Sequence, residues 1–119
     1  IILVKMIKSV KKLFSNLSNS LNGLRIVLKE HSFILEIIGG IALIPFLIIA
    51  EIEIINKILI TSVYFILLAF ELLNTAIEKL SNKITRDYDI EIKEIKDLSS
   101  SAVFVIVLVL LIILIITFI

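Results

Sequence analysis

The chain has 119 residues, 60% of them hydrophobic, with no cysteine and a net charge of +1 at pH 7. Soluble domains contain about half apolar residues, so this excess predicts a membrane protein. The balanced charge excludes a general electrostatic attraction for nucleic acid, and the missing cysteines exclude disulfides, thiolate catalysis and cysteine-ligated metal sites.

The N-terminal segment has the pattern of an amphipathic helix, which we expect over residues 6–29. Apolar residues recur at helical spacing, and lysine, serine and asparagine occupy the other side. A basic polar face of this kind favours a helix that lies in the headgroup plane of a membrane, although packing on a soluble partner is the alternative. The apolar positions are Val10, Leu13, Leu17, Leu21, Leu24 and Leu28.

Three apolar stretches follow, and each approaches or exceeds the roughly 20 residues that cross ~30 Å of hydrocarbon. We predict spans over residues 32–50, 54–80 and 98–119. A charged loop over 82–97 separates the last two, and Asp97 or Ser99 is the expected N-cap of the third span. The predicted fold is therefore an all-α membrane protein, a single domain over residues 1–119, with a surface helix and three transmembrane helices.

The distribution of basic residues predicts the orientation in the membrane. Six lysines and arginines precede the first span and five lie between residues 79 and 96, whereas the turn between the first two spans holds only Lys57. By the positive-inside rule, the N-terminus and the second loop face the cytoplasm.

The second span ends in a polar stripe formed by Glu71, Asn74 and Glu78. On a helix these residues lie on one face, and ionisable groups at membrane depth indicate a functional site. The predicted topology brings further polar residues to the same membrane face, namely Glu30, Glu36, Lys96 and Asp97.

This set of side chains suits phosphoryl transfer. Carboxylates are ligands for Mg²⁺, a lysine can neutralise phosphate charge, and a separate carboxylate can accept a hydroxyl proton. The chain has no P-loop and no kinase glycine-rich loop, so an ATP site must be of another type.

Structural explanations exist for each residue taken singly. Glu30 and Asp97 are also suitable first-turn acids at helix N-termini, and Lys96 is a suitable interfacial lysine. Asn74 and Glu71 are suitable groups for hydrogen bonds between the helices of an oligomer. A non-enzymatic membrane anchor or proton-conducting subunit is the corresponding alternative function, because intramembrane glutamate is expected there too.

Three motifs give the chain its resemblance to a known family: residues 70–78 (FELLNTAIE), the pair Asp87–Tyr88, and residues 96–103 (KDLSSSAV). With them the chain resembles the small prokaryotic integral-membrane diacylglycerol kinases over nearly its whole length. The resemblance implies a homotrimer in the bacterial inner membrane with active sites shared between subunits. These would transfer the γ-phosphate of ATP, with Mg²⁺, to diacylglycerol. The same scaffold also resembles undecaprenol kinases, but Glu36 favours diacylglycerol.

The resemblance also implies roles for individual residues. Glu71 would be the general base, aided by Asn74, and Glu30 and Glu78 would hold Mg²⁺. The other implied nucleotide contacts are Lys12, Asn19, Asp87, Tyr88, Asp89, Lys96 and Asp97, and the implied lipid contacts are Ser20, Ser32, Phe33, Glu36 and Ser100. The chain departs from the family pattern at Asn82, Asp89 and Ser99, where Asp, His and Gly are expected.

Overall fold

The computed structural model describes all residues from Ile1 to Ile119 and contains four α-helices and no strands. Helix α1 runs over Ile2–Val27, α2 over His31–Ile49, α3 over Ile54–Ile84 and α4 over Ile90–Phe118. The last three are long and apolar enough to cross a membrane. The predicted all-α fold with three long apolar helices is therefore confirmed.

The chain divides into two compact units, residues 1–34 and 35–119. In the first unit, α1 is a continuous helix whose apolar residues are almost all exposed. The chain turns at residues 28–30, where the backbone N–H groups of Lys29 and Glu30 donate to the carbonyls of Ile26 and Val27. The position of α1 on a membrane surface stays a prediction.

In the second unit, a short turn joins α2 to α3. Helix α2 has 19 residues and contains Pro45, which lacks a backbone N–H but is tolerated in membrane helices. At the turn, Lys57 Nζ donates a hydrogen bond of 3.1 Å to the carbonyl oxygen of Ile48. This contact provides a partner for one of the carbonyls that a helix C-terminus leaves unpaired.

Helices α3 and α4 form an antiparallel hairpin and pack closely against each other. Helix α3 buries one seam, at spacings of four, three, four and four residues, which is the pattern of one helix face against its neighbours. The seam consists of Ile60, Tyr64, Leu67, Glu71 and Thr75. Glu71 thus lies on the buried face of α3 and not on its exposed face.

Residues 85–89 connect α3 to α4, and α4 begins earlier than the sequence predicts. Asp89 is the N-cap, and its Oδ1 accepts a hydrogen bond of 3.0 Å from the backbone N–H of Ile92. The expected N-cap at Asp97 or Ser99 is wrong, because both residues lie inside α4. The charged residues from Glu91 to Asp97 form its first two turns, where Lys93 and Asp97 make an i,i+4 ion pair of 2.6 Å.

The C-terminal part of α4 has few contacts within its own chain. No residue from Phe104 to Phe118 is buried, although the ring of Phe118 lies 5.4 Å from that of Phe46 in α2. Apolar surface of this extent is typical of a helix that contacts lipid or other subunits.

We expect Asp89→Ala to lower the free energy of unfolding by about 1 kcal/mol, because it removes the N-cap acceptor of α4. Asp89→Asn should retain most of the stability, since asparagine caps equally well. Thermal unfolding of the purified protein in detergent, without nucleotide, measures the effect. Asp87→Ala is the matched control, and equal losses in the Asp87 and Asp89 alanine variants would contradict the assignment of the cap.

Candidate functional site

The polar side chains of the second unit lie in successive layers along one end of the α3–α4 hairpin. The layers are formed by Glu36 with Glu71, then by Asn74, Glu78 and Ser99, and then by Asn82 with Lys96. Each layer is held by side chains from two helices or from adjacent turns of one helix.

The first layer pairs two acidic side chains. Glu71 is only 7% exposed on the buried seam of α3, and its carboxyl group interacts with that of Glu36 in α2. The Oε2 atom of Glu36 is buried, and no donor group of the chain bonds it. Two carboxyl groups side by side in an apolar site need a proton or a cation between them. The pair is therefore a place in the fold that can hold a proton or a cation.

The second layer is a chain of hydrogen bonds. Ser99 Oγ in α4 donates to Asn74 Oδ1 at 2.7 Å, and Asn74 Nδ2 donates to Glu78 Oε1 at 3.2 Å. Because Ser99 occupies the amide oxygen, the amide nitrogen of Asn74 faces Glu78. This hydrogen bond orients the Glu78 side chain through Oε1. The other carboxylate oxygen of Glu78 takes no part in this network of hydrogen bonds.

The third layer places a lysine against a neutral acceptor. Lys96 Nζ donates to Asn82 Oδ1 at 2.6 Å, so the lysine is held by an amide that does not neutralise its charge. Its sequence neighbour Asp97 lies elsewhere, since Asp97 is exposed and pairs with Lys93. The two neighbouring side chains therefore have different partners within this chain.

The hairpin loop adds a shallow charged cavity of about 320 Å³ next to the third layer. It contains both carboxylates and cations, as a site for a metal-bound nucleotide would require. Four of the predicted nucleotide contacts lie together here, while Asp97 is absent from the lining. The lining residues are Arg86, Asp87, Tyr88, Asp89, Ile92, Lys93 and Lys96.

The remaining predicted residues belong to the first unit or to the surface of α4. Lys12, Asn19 and Ser20 are exposed on α1, where Ser20 Oγ donates to the Asn16 carbonyl at 3.0 Å. Glu30 is half-buried in the turn, and its carbonyl oxygen accepts from the Ile34 N–H. The three others are Ser32, which is exposed, Phe33, which is buried, and Ser100, which is exposed on α4.

No three histidine, cysteine, aspartate or glutamate side chains of the chain come together as a metal-binding group. Mg²⁺ commonly takes only one or two protein carboxylates and completes its coordination with water and phosphate oxygens. The free oxygen of Glu78 fits this type of donor set.

Sequence reasoning missed the contacts of Tyr64, Asn82 and Ser99. The sequence marks Asn82 and Ser99 only as departures from a family pattern, and it gives no signal at Tyr64. The partners of Asn82 and Ser99 lie 14 and 25 residues away on the facing helix, so no local spacing could have indicated them.

Comparison with known protein families gives one match. The family model described as "Prokaryotic diacylglycerol kinase" matches residues 18–118, from within α1 to the last residue of α4. All three layers and the loop cavity lie inside the matched range. No curated protein matches the chain at a significant level.

We expect Ser99→Ala to lower the free energy of unfolding by about 1 kcal/mol, because it leaves Asn74 Oδ1 without its donor. Ser101→Ala is the matched control, since Ser101 Oγ bonds only the Asp97 carbonyl of its own helix. Thermal unfolding in detergent should separate the two variants. Equal stability of all three proteins would show that the Ser99–Asn74 bond contributes little.

Proposed function

Because this chain belongs to the prokaryotic diacylglycerol kinase family, we propose that it transfers the γ-phosphate of ATP to the free hydroxyl of diacylglycerol, forming phosphatidic acid. Membership makes it a membrane-embedded lipid kinase. We further propose diacylglycerol as the acceptor and specific roles for individual residues. We also propose a location in the bacterial inner membrane with a cytoplasmic N-terminus. The observation that carries it is the pair formed by the buried Glu71 and the half-buried Glu36, beside the Asn74–Glu78 layer.

Glu71 is the proposed general base. Its carboxyl group lies on an apolar helix seam, where a lipid hydroxyl could meet it without entering water. The hydroxyl oxygen attacks the γ-phosphorus, the bond from that phosphorus to the bridging oxygen breaks, and ADP leaves. The hydroxyl proton passes to Glu71, which balances the reaction.

Asn74 and Glu78 are proposed to prepare the phosphate site. The hydrogen bond from Asn74 holds one oxygen of Glu78, so the other can point to a metal ligand position. Glu78 and Glu30 would hold Mg²⁺, which when bound neutralises charge on the phosphate oxygens.

Lys96 is proposed to bind the phosphates of ATP. Its acceptor, Asn82, is neutral, so its full positive charge remains available to an anion. The loop cavity supports this assignment, because it joins Lys96 to the proposed nucleotide contacts Asp87, Tyr88 and Asp89. We propose further nucleotide contacts for Asp97 and for Lys12 and Asn19 of α1.

Diacylglycerol is preferred to undecaprenol because Glu36, the residue that favours diacylglycerol by resemblance, lies directly against the proposed base. Ser20, Ser32, Phe33 and Ser100 are the other proposed lipid contacts. A homotrimer with shared active sites is proposed as the assembly. The long unburied apolar surface of α4 supports it, since neighbouring subunits would cover part of that surface.

Glu71→Gln should reduce kcat about 100-fold or more, because glutamine keeps the shape but cannot accept the proton. The assay uses protein reconstituted in lipid vesicles with Mg²⁺ and radiolabelled ATP, with diacylglycerol and undecaprenol in separate reactions. Glu51 is exposed in the turn between α2 and α3, so Glu51→Gln is the matched control and should keep normal activity.

The same assay can contradict each part of the proposal. Near-normal turnover of Glu71→Gln would disprove the base assignment. Labelled product from undecaprenol alone would disprove the substrate assignment. Product from neither lipid would disprove the proposed reaction and favour a non-enzymatic anchor or proton-conducting subunit.

Lys96→Gln should raise the KM for ATP about tenfold or more, since charged hydrogen bonds to phosphate are worth about 1.5–3 kcal/mol. The KM for the lipid should change little. Lys83→Gln, an exposed lysine in the last turn of α3, is the control for loss of one positive charge. An unchanged KM for ATP in Lys96→Gln would remove Lys96 from the nucleotide site.

A further inference from the structure

Tyr64 joins α3 to α2 through a polar contact close to the acidic pair, Glu36 and Glu71. It is 6% exposed and lies two helical turns before Glu71 on the same buried seam. Its hydroxyl group donates a hydrogen bond of 2.8 Å to the backbone carbonyl oxygen of Glu36. The proposed reaction uses neither this hydroxyl nor this carbonyl.

The acceptor of this bond is a helix carbonyl. A carbonyl oxygen has two lone pairs, so it can accept from Tyr64 without giving up its place in the α2 backbone. A tyrosine hydroxyl in an apolar environment needs such a partner, because an unpaired one costs free energy. The bond therefore fixes the backbone of α2 at the residue that carries the Glu36 carboxyl.

Gly40 makes the approach of the tyrosine possible. A Cβ atom at position 40 would collide with the hydroxyl oxygen and the ring of Tyr64. The adjacent Gly39 has no atom of another residue near its corresponding position. Of the two glycines, Gly40 alone is thus required for the contact between α2 and α3.

We propose that Tyr64 is a positioning residue of the kinase site: through the backbone of Glu36, and with the space left by Gly40, it holds the Glu36 carboxyl beside Glu71. One shared helix face and two contacts carry the inference. Tyr64 and Glu71 share one face of α3, the Tyr64 hydroxyl bonds Glu36, and the Glu36 carboxyl interacts with that of Glu71. The inference rests on the proposed function, because it assigns Glu71 as the base.

A cysteine pair can test the positioning without an activity assay. The chain has no cysteine, so Glu36→Cys with Glu71→Cys introduces the only two thiols. A short bifunctional maleimide, which spans a larger gap than a disulfide does, should link the two thiols within one chain rapidly when Tyr64 is present and several times more slowly with Tyr64→Phe. Labelling of the remaining thiols with a large maleimide measures the rate, and Tyr88→Phe is the control for the tyrosine change. An equal rate in the Tyr64→Phe protein would overturn the proposal.

The kinase assay gives an independent test. Tyr64→Phe should lower kcat about three- to tenfold and leave the KM for ATP unchanged, which is the range of one hydrogen bond. In a Glu36→Gln protein the same change should lower kcat less than about twofold, because the group that Tyr64 positions is gone. Equal losses in both backgrounds would show that Tyr64 serves packing alone.

Two glycine variants complete the design. Gly40→Ala should reduce the cross-linking rate and kcat as Tyr64→Phe does, and Gly39→Ala should leave both near the parent values. Equal effects of the two alanines would overturn the role of Gly40. If the parent protein phosphorylates neither lipid while the cross-linking rates follow the expected order, the proposed function fails and the positioning of Glu36 stands.

Discussion

The buried carboxyl group of Glu71 is the constraint on which the site depends. An acidic side chain on an apolar helix seam costs free energy unless a proton, a cation or hydrogen-bond donors accompany it. The group that the fold brings to Glu71 is a second carboxyl, from Glu36. Under the proposed function, this pair receives the proton of the substrate hydroxyl.

The layers beyond Glu71 lead from a buried acidic side chain to an open cavity lined by charged residues. Asn82 lies eleven positions after Glu71 in α3, which corresponds to about 16 Å along the helix. Over this length the side chains pass from two acids through an amide network to a lysine and an open charged cavity. Under the proposed function, the lipid hydroxyl would enter at the apolar end and the nucleotide at the aqueous end, with the phosphate transferred between them.

The rest of the chain serves the site indirectly. Lys57 of α3 bonds the last turn of α2, and the aromatic contact of Phe46 with Phe118 joins α2 to α4. These contacts hold one end of the helices together while the polar layers occupy the other. Apolar surface as extensive as that left on α1 and α4 is covered in membrane proteins by lipid or by neighbouring subunits.

The sequence by itself determined the helical class, the three apolar helices and the acidic stripe, because length, hydropathy and spacing are local properties. The spacing of Glu71, Asn74 and Glu78 is enough to place them on one helix face, whatever packs against that face. The N-cap at Asp89 was missed, since a dense run of charge from Glu91 to Asp97 reads equally well as a loop or as an exposed first turn.

Only the tertiary structure decided which helix faces meet. The bonds from Ser99 to Asn74, from Lys96 to Asn82 and from Tyr64 to Glu36 join residues 14 to 28 positions apart. Their formation depends on the rotation and vertical offset of each helix against the next. Those quantities follow from side-chain packing along the seam, as in the space that Gly40 leaves for Tyr64, and no periodicity in a single helix records them.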